Sequence, residues 1–393
     1  MASKAILLTM SSGLLALSTF FFNFAILQTR SAEQYGVWSY AVGISMITFS
    51  LAVEWLRVGG IRLATTQASW IGVFSRMYFL SLLLIVVFLL PFFRFDWWGV
   101  CCLFLIFYAG HEYFLSRARI DGNDFCYSGF QIIKAVSMVI ISAILLSWLS
   151  LGNSLILVVL IGIYISLLIL LRPRFSAADN NGDYQGFAMF SYPFIFNAAA
   201  AIGLLYIDRL ILELTAGLES VAKNAALMEI LRQVIIFSLN IISIYFYRKE
   251  VLLLDEGDVG KRYLRLFFLK GAWVIAICLL SFLLFSLFDH YFMPYYFPEE
   301  YHGYWDDNWF FGFVGVCLYG VKVYMLDQFF IGIRRINVVV TTNLILISIY
   351  VSMYFCVWNI YGDANIVVCF SVAAALTLLL SSLVTVAYVR EKV

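Results

Sequence analysis

Long apolar runs follow one another along almost the whole chain, and each is about as long as a helix that crosses a lipid bilayer. Such a helix needs about 20 mostly apolar residues. The runs are continuous rather than alternating, which argues against membrane-spanning β-strands. The pattern therefore predicts an all-α, polytopic membrane protein. Its twelve predicted spans are residues 5–27, 37–56, 77–93, 97–116, 126–149, 153–171, 187–207, 222–246, 266–288, 309–331, 338–358 and 364–388.

The composition of the 393-residue chain supports the same class of protein, because 63% of the residues are hydrophobic and only 12% are charged. Soluble domains are about 45–50% apolar and about 25% charged. These values exclude a soluble enzyme, a nucleic-acid-binding protein and a secreted disulfide scaffold as descriptions of the whole chain.

Motifs for catalysis or metal binding are absent from the sequence. It has no Ser/His/Asp grouping, no phosphate-binding loop and no GxGxxG motif. The seven cysteines lie in or beside apolar runs without CxxC or Cys/His spacing, and there are only three histidines. We therefore expect a protein that is not an enzyme and that holds no metal and no cofactor.

The basic residues of the loops predict how the chain is oriented. Cytoplasmic loops of membrane proteins are enriched in Lys and Arg. The two termini and the loops on their side hold seventeen such residues, whereas the opposite loops hold four, namely Arg30, Arg94, Arg209 and Lys223. This asymmetry predicts that both termini are cytoplasmic and supports an even number of spans.

A turn-rich segment near the middle of the chain, residues 172–186 (RPRFSAADNNGDYQG), predicts a linker. The linker would separate two six-helix lobes, residues 1–175 and 176–393. A short repeat supports this division, because the turn Glu33–Gly36 after the first span has a counterpart, Glu219–Ala222, 186 residues later. Both halves would then begin on the same side of the membrane, as in a parallel repeat.

Three basic residues lie deep in predicted spans, namely Lys134, Arg232 and Lys322. Ionisable groups near the middle of a bilayer are costly and usually line a binding site or pair with one another. A hydrated cationic cavity is one interpretation of all three. The other is that the two lysines extend along lipid to the interface, and that Arg232 pairs with Glu229 one helical turn before it.

Other charged residues lie near the cytoplasmic ends of the predicted spans. For Lys270 and Asp327 we expect solvation at the interface. His111 and Glu112 suit a proton relay, but a helix end that faces cytoplasmic water is the simpler expectation.

The cytoplasmic end of the second span carries two arginines, Arg57 and Arg62, around the pair Gly59-Gly60. The guanidinium group offers a bidentate fork to phosphate oxygens. A flexible glycine break between two arginines could therefore hold a phosphate. Charge anchoring at the cytoplasmic face, which needs no ligand, explains the arginines equally well.

Three short motifs carry a resemblance to a known family: residues 32–39 (AEQYGVWS) after the first span, residues 207–212 (IDRLIL) at the end of the seventh, and the Tyr361-Gly362 turn before the last. With the length and the predicted division into two halves, the chain resembles the polysaccharide (O-antigen type) flippases of the multidrug/oligosaccharidyl-lipid/polysaccharide exporter superfamily. One departure is residues 220–222 (SVA), where the family more often has an aromatic residue followed by glycine.

The resemblance implies a V-shaped, two-lobed transporter of the cytoplasmic (inner) membrane that functions in lipopolysaccharide or related polysaccharide biosynthesis. It would carry an undecaprenyl-pyrophosphate-linked oligosaccharide, such as an O-antigen repeat unit, to the periplasmic leaflet by alternating access. The expected partners are this lipid-linked substrate, membrane lipids and other polysaccharide-assembly proteins, and not nucleic acid. The candidate cationic contacts for the substrate are Arg232, Lys134, Lys322, Arg57 and Arg62, and the candidates for ion coupling or pairing are Glu229, Glu112 and His111.

Two other functions remain open. A membrane-integral O-antigen polymerase has a similar size, but such an enzyme is expected to carry a long, basic periplasmic loop, and here the longest outer loop, residues 289–308, is acidic. A drug/cation antiporter of the same superfamily is expected to place carboxylates rather than cations in its cavity.

Overall fold

The fold is almost entirely helical. The computed structural model describes residues 2–64, 70–92, 97–147, 152–171, 183–192, 194–255, 261–291, 293–332, 335–361 and 365–392, and no strand occurs among them. The helices, in chain order, are α1 (Ala2–Thr29), α2 (Ala32–Phe49), α3 (Trp55–Ala64), α4 (Trp70–Leu89), α5 (Trp97–Ile120), α6 (Asp124–Ser147), α7 (Asn153–Leu171), α8 (Tyr184–Ser191), α9 (Phe194–Ala216), α10 (Leu218–Asp255), α11 (Lys261–Tyr291), α12 (Met293–Tyr296), α13 (His302–Val321), α14 (Gln328–Gly332), α15 (Ile336–Tyr361) and α16 (Ile366–Lys392).

Two π-helical turns interrupt long helices. Ser50–Glu54 joins α2 to α3, and Lys322–Asp327 joins α13 to α14. A π-helical turn bonds residues five apart, is rare, and is frequent at functional sites. Both turns here carry charged residues, which makes them starting points for the description of the site.

The prediction of an all-α polytopic membrane protein is confirmed. In the described part of the chain, ten helical segments are long and apolar enough to cross a membrane, and the bent pair Phe194–Ala200 and Ile202–Ala216 would be an eleventh. The predicted eighth span, residues 222–246, lies on α10, a helix of 38 residues. That helix is long enough to cross, at about 1.5 Å per residue.

The chain divides into two compact units, Met1–Ala222 and Lys223–Val393. The predicted lobe boundary at residues 175 and 176 lies outside the described residues, and the division into two six-helix lobes stays a prediction. In the first unit, α1 packs along α6, and α2 packs against both α5 and α9. Hydrogen bonds from Ser11 and Ser12 to the Gln131 side chain fix α1 to α6 within this apolar contact.

The second unit is built around α13 and α16, with α15 packed on α16. The Ser371 hydroxyl donates to the Phe311 carbonyl oxygen at 2.5 Å, and the Asn365 amide donates to the Asn308 side chain at 2.6 Å. Small residues let the two helices approach closely, as is usual in membranes, since a Cβ at Gly315 would lie 2.6 Å from the Ser371 hydroxyl oxygen. These contacts fix α13 against α16, and α13 leads directly into the second π-helical turn.

Gly36 lies where α2 meets the start of α10. A Cβ at this position would overlap the carbonyl group of Leu218, and backbone cannot move aside as a flexible side chain can. We expect Gly36→Ala to destabilise the protein by about 1–3 kcal/mol, the usual cost of overpacking. Thermal unfolding of the purified protein in detergent measures this effect. The control is Gly162→Ala on α7, where no atom lies within 4 Å of the added Cβ; equal unfolding temperatures for the two variants would contradict the expectation.

Candidate functional site

The first unit contains a cluster of charged side chains that we call the unit 1 charge cluster: Glu54, Arg57, Glu112 and Lys134. Arg57 Nε donates to Glu54 Oε2 at 2.6 Å, and a second bond joins the Arg57 guanidinium to the other oxygen of Glu54. On its other side Arg57 Nη1 lies 3.3 Å from Glu112 Oε2. All three side chains are largely buried, so Arg57 bridges two carboxylates from two different helical segments.

Lys134 completes the cluster from α6. It is only 8% exposed, and its ammonium nitrogen lies 5.1 Å from the ring centre of Tyr108 and 5.8 Å from that of Phe107. Rings at this distance attract a cation through their negative faces. Glu112 lies within electrostatic range, but among the described residues Lys134 makes no hydrogen bond or ion pair. The alternative that Lys134 extends along lipid to the interface is therefore wrong.

His111 lies one residue before Glu112 and is fully buried. Its Nδ1 lies 3.0 Å from the hydroxyl oxygen of Tyr164 on α7. The expectation that His111 and Glu112 mark a helix end facing cytoplasmic water is wrong, because α5 continues to Ile120, about two and a half turns further. A relay role for the two residues stays a prediction.

The glycine pair Gly59-Gly60 is not a flexible break, and that expectation is wrong. Both glycines lie within α3, where a Cβ at Gly60 would overlap the Phe74 ring and one at Gly59 would overlap the Ser191 side chain. Glycine is required at both positions because side chains of neighbouring helices pack directly against the backbone there. Arg57 therefore lies on a continuous helix, and the Glu54 and Glu112 carboxylates hold its side chain. The side chain of Arg62 lies outside the described residues, so its predicted role as a phosphate contact stays a prediction.

In the second unit, Lys322 and Asp327 form a buried ion pair. Lys322 Nζ donates to both oxygens of Asp327 at 2.9 and 2.8 Å and to Asn343 Oδ1 at 2.7 Å. An ammonium group has three donors, so the side chain is saturated. Two expectations are therefore wrong in this structure: Lys322 is neither extended to the interface nor an uncompensated cavity cation, and Asp327 is not solvated at the interface but 4% exposed.

Lys270 on α11 forms a second saturated ion pair. Its Nζ donates to both Glu250 carboxylate oxygens, at 2.9 and 2.8 Å, and to Gln328 Oε1 at 2.8 Å. The expectation that Lys270 reaches the interface is wrong, since the side chain is fully buried. Because Gln328 directly follows Asp327, the two ion pairs fasten α10, α11 and α15 to the same short segment.

Arg232 and Glu229 lie on one face of α10, and both are partly buried. Arg232 is within electrostatic range of Tyr319 on α13, and Glu229 is within range of Tyr296 in the outer connection. Burial raises the pKa of the Tyr296 hydroxyl, and the Glu229 carboxylate raises it further. Both residues stay candidates for substrate binding or ion coupling, as the sequence predicts.

Sequence reasoning missed several side chains that define these sites. Tyr108 lies one helical turn before Glu112 and so shares its face of α5, but only the packing of α6 against α5 brings Tyr108 to Lys134. Asn343, Glu250 and Gln328 are distant in sequence from the lysines they contact, and no sequence signal identifies them. Among the described residues no group of three or more His, Cys, Asp or Glu side chains could hold a metal ion.

Comparison with known proteins adds a relationship of fold. No family model matches the chain, and no curated protein matches it. Several solved structures, however, match the chain in fold. One is the MATE multidrug transporter DinF-BH, solved in complex with a ligand, at 13% identity and a TM-score of 0.62, covering 98% of this chain and 94% of that one. An inward-facing multidrug resistance MATE family transporter of the MOP superfamily has the same identity and TM-score and covers 98% and 96% of the two chains.

A third similar structure is a MOP superfamily transporter from Pyrococcus furiosus, described as having a binding pocket of reverse polarity that suggests a different function. It is 12% identical with a TM-score of 0.58, and it covers 98% of this chain and 95% of that one. At these identities the likeness concerns the fold. The chain has the fold of the MATE transporters of the MOP superfamily over nearly its whole length.

Proposed function

We propose that the protein is a transporter that moves an undecaprenyl-pyrophosphate-linked oligosaccharide across the cytoplasmic membrane by alternating access, with both of its termini in the cytoplasm. The observation that carries this proposal is Lys134. It is a cation buried in a membrane-spanning helix, and in the described part of the chain its ammonium group, which has three N–H donors, contacts two aromatic rings and forms no hydrogen bond or ion pair. Glu112 and the two aromatic rings offset part of the cost of burying this cation, and an anionic substrate would add the hydrogen bonds that they do not supply.

The chemistry of a pyrophosphate suits the unit 1 charge cluster. Lys134 would supply a point charge with free donors, and the aromatic rings of Tyr108 and Phe107 hold its ammonium group in place without competing for hydrogen bonds. Arg57 would be a second contact only if the anion displaced Glu54 or Glu112 from it. Because the two carboxylates balance the two cations, the cluster could release an anion again as well as accept it.

The carboxylates support a second candidate function, that of a drug/cation antiporter. The Glu54 and Glu112 side chains, although largely buried, keep 12% and 13% of their surface exposed, and proteins with the same fold include a multidrug transporter solved with a ligand bound. In that function the carboxylates would hold a cationic substrate. The N–H donors of Lys134 would then have no role in binding it. The two functions therefore assign opposite roles to the same cluster.

Deletion of the gene in its native cell tests the proposal. We expect lipid-linked single repeat units to accumulate on the cytoplasmic face of the membrane, where added glycosidase does not reach them in intact spheroplasts. Accumulation of unpolymerised units on the outer face would contradict the proposal and favour a polymerase. Unchanged lipid-linked glycan together with increased sensitivity to ethidium, a cationic dye, would favour the antiporter.

A further inference from the structure

An apolar groove runs along the outside of the first unit between α5 and α7. We call it the α5–α7 groove; the residues that matter here are Ile106, Phe107, Gly110, Tyr164, Ile165 and Ile169. Its volume is about 540 Å³, within the usual range of pockets for small molecules. Almost no polar surface lines it, so a polar ligand would find no hydrogen-bond partner there.

The position of the groove identifies the medium that covers it. Both helices are apolar enough to span a membrane, and at the rim Ile106, Ile165 and Ile169 are 43%, 49% and 66% exposed. Such side chains on a spanning helix face the hydrocarbon of the bilayer. The α5–α7 groove is therefore open to lipid chains, and the predicted orientation puts its length between the membrane centre and the cytoplasmic side.

The aromatic side chains that form the floor of the groove also contact two buried polar residues, Lys134 and His111. Phe107 lines the groove and contacts Lys134 with its ring, and Tyr164 lines the groove and bonds His111 with its hydroxyl. The two rings are packed edge to face at 5.3 Å. Phe107 and Tyr164 therefore lie between the groove and two buried ionisable side chains, Lys134 and His111.

Gly110 lines the groove and places no side chain in it. A Cβ at this position would meet no atom within 4 Å, so the protein itself does not require glycine there for close packing. Gly162 on α7 is equally uncrowded but does not line the groove. The two glycines differ in that only one of them shapes the space.

We propose that the α5–α7 groove binds one acyl chain of a membrane glycerophospholipid, and that this lipid covers the Phe107 and Tyr164 rings behind which Lys134 and His111 lie. Glycerophospholipids are the bulk source of hydrocarbon chains in a bilayer, and a groove lined by isoleucine and aromatic side chains gives such a chain closer packing than a flat helix surface does. The assignment does not depend on what the protein transports.

The test uses the full chain in vesicles of phosphatidylethanolamine that contain a phosphatidylcholine probe with a diazirine in its acyl chain. After illumination, labelled residues are mapped by peptide mass spectrometry. For the wild type we expect label to concentrate on α5 and α7 around Ile106, Ile165 and Ile169, relative to the exposed residues Leu279 and Leu283 of α11. Gly110→Leu, which fills the groove, should lower this label about tenfold, and Gly162→Leu should leave it unchanged.

Three outcomes would overturn the proposal. In one, Gly110→Leu keeps as much label as Gly162→Leu. In the second, the label is spread evenly over the exposed faces of α5, α7 and α11, as expected for annular lipid without a built site. In the third, a small proportion of undecaprenyl phosphate removes the label from the groove although phosphatidylethanolamine is already in large excess in the vesicles, which would assign the groove to an isoprenoid chain. Folding does not confuse the result, because leucine is a better helix former than glycine and because Gly110→Ala provides a smaller, graded change.

Discussion

Replacing Lys134 by glutamine should reduce transport of the lipid-linked oligosaccharide about ten- to a hundredfold. A hydrogen bond to a charged group contributes about 1.5–3 kcal/mol, and every 1.4 kcal/mol is about a tenfold change. The variant also leaves Glu54 and Glu112 with Arg57 as their only basic neighbour in the unit 1 charge cluster, so the cluster would repel an anion. Export of lipid-linked repeat units in a deletion strain complemented with each variant measures the effect.

A purely structural role for Lys134 predicts that the variant unfolds at a lower temperature than the wild type, whereas we expect the opposite. Because Lys134 is buried without a hydrogen bond or an ion pair in the described part of the chain, removing its charge relieves a desolvation cost. The variant should therefore unfold at the same temperature as the wild type or higher. The matched control is Arg119→Gln, which removes an exposed cation that contacts Tyr127. Normal export by Lys134→Gln at normal expression would remove Lys134 from the substrate path.

Replacing Lys322 by methionine should destabilise the protein by about 3–5 kcal/mol, the usual cost of breaking a buried ion pair from one side. The Asp327 carboxylate would keep its place at 4% exposure and lose the ammonium group that donates to both of its oxygens. We expect little folded protein in detergent extracts, measured by the monodisperse fraction in size-exclusion chromatography and by thermal unfolding.

The double variant Lys322→Met/Asp327→Leu separates stability from transport. Replacing a whole buried ion pair by apolar residues of similar size is often neutral or stabilising, so the double variant should recover most of the folded protein. If it also transports at the wild-type rate, the pair serves the frame of the second unit. If it folds but does not transport, Lys322 has the direct substrate role that the sequence suggests. A double variant no more stable than Lys322→Met alone would contradict the ion-pair account.

The class of fold could be predicted because the bilayer imposes its own length on every spanning helix. The long helices α1, α2, α4 to α7, α11, α13, α15 and α16 overlap the predicted spans, although α4 and α13 each begin seven residues before the predicted position. The bounds of the eighth span were harder to predict, because α10 carries Lys223, Glu229 and Arg232 within its length and continues to Asp255. Hydropathy alone cannot decide where such a helix enters or leaves the membrane.

The candidate site could be predicted only in part. Lys134 and Lys322 stood out in the sequence for the same reason, a cation in an apolar run, yet their surroundings differ completely. The partner of Lys322 is five residues away, a spacing that does not share a face on an α-helix but does so across the π-helical turn Lys322–Asp327. The contact of Lys134 with the Tyr108 and Phe107 rings depends on how α6 packs against α5. No spacing of residues within either helix predicts this contact.

Reconstitution of the purified protein tests the central claim most directly. Proteoliposomes are prepared with a fluorescent undecaprenyl-pyrophosphate oligosaccharide in their inner leaflet, and its arrival in the outer leaflet is followed by loss of fluorescence to an external quencher. Uptake of ethidium is measured in a parallel set of the same vesicles. The account predicts that the wild type moves the lipid, that Lys134→Gln does so at least about tenfold more slowly, and that ethidium does not move. Transport of ethidium without movement of the lipid would contradict it.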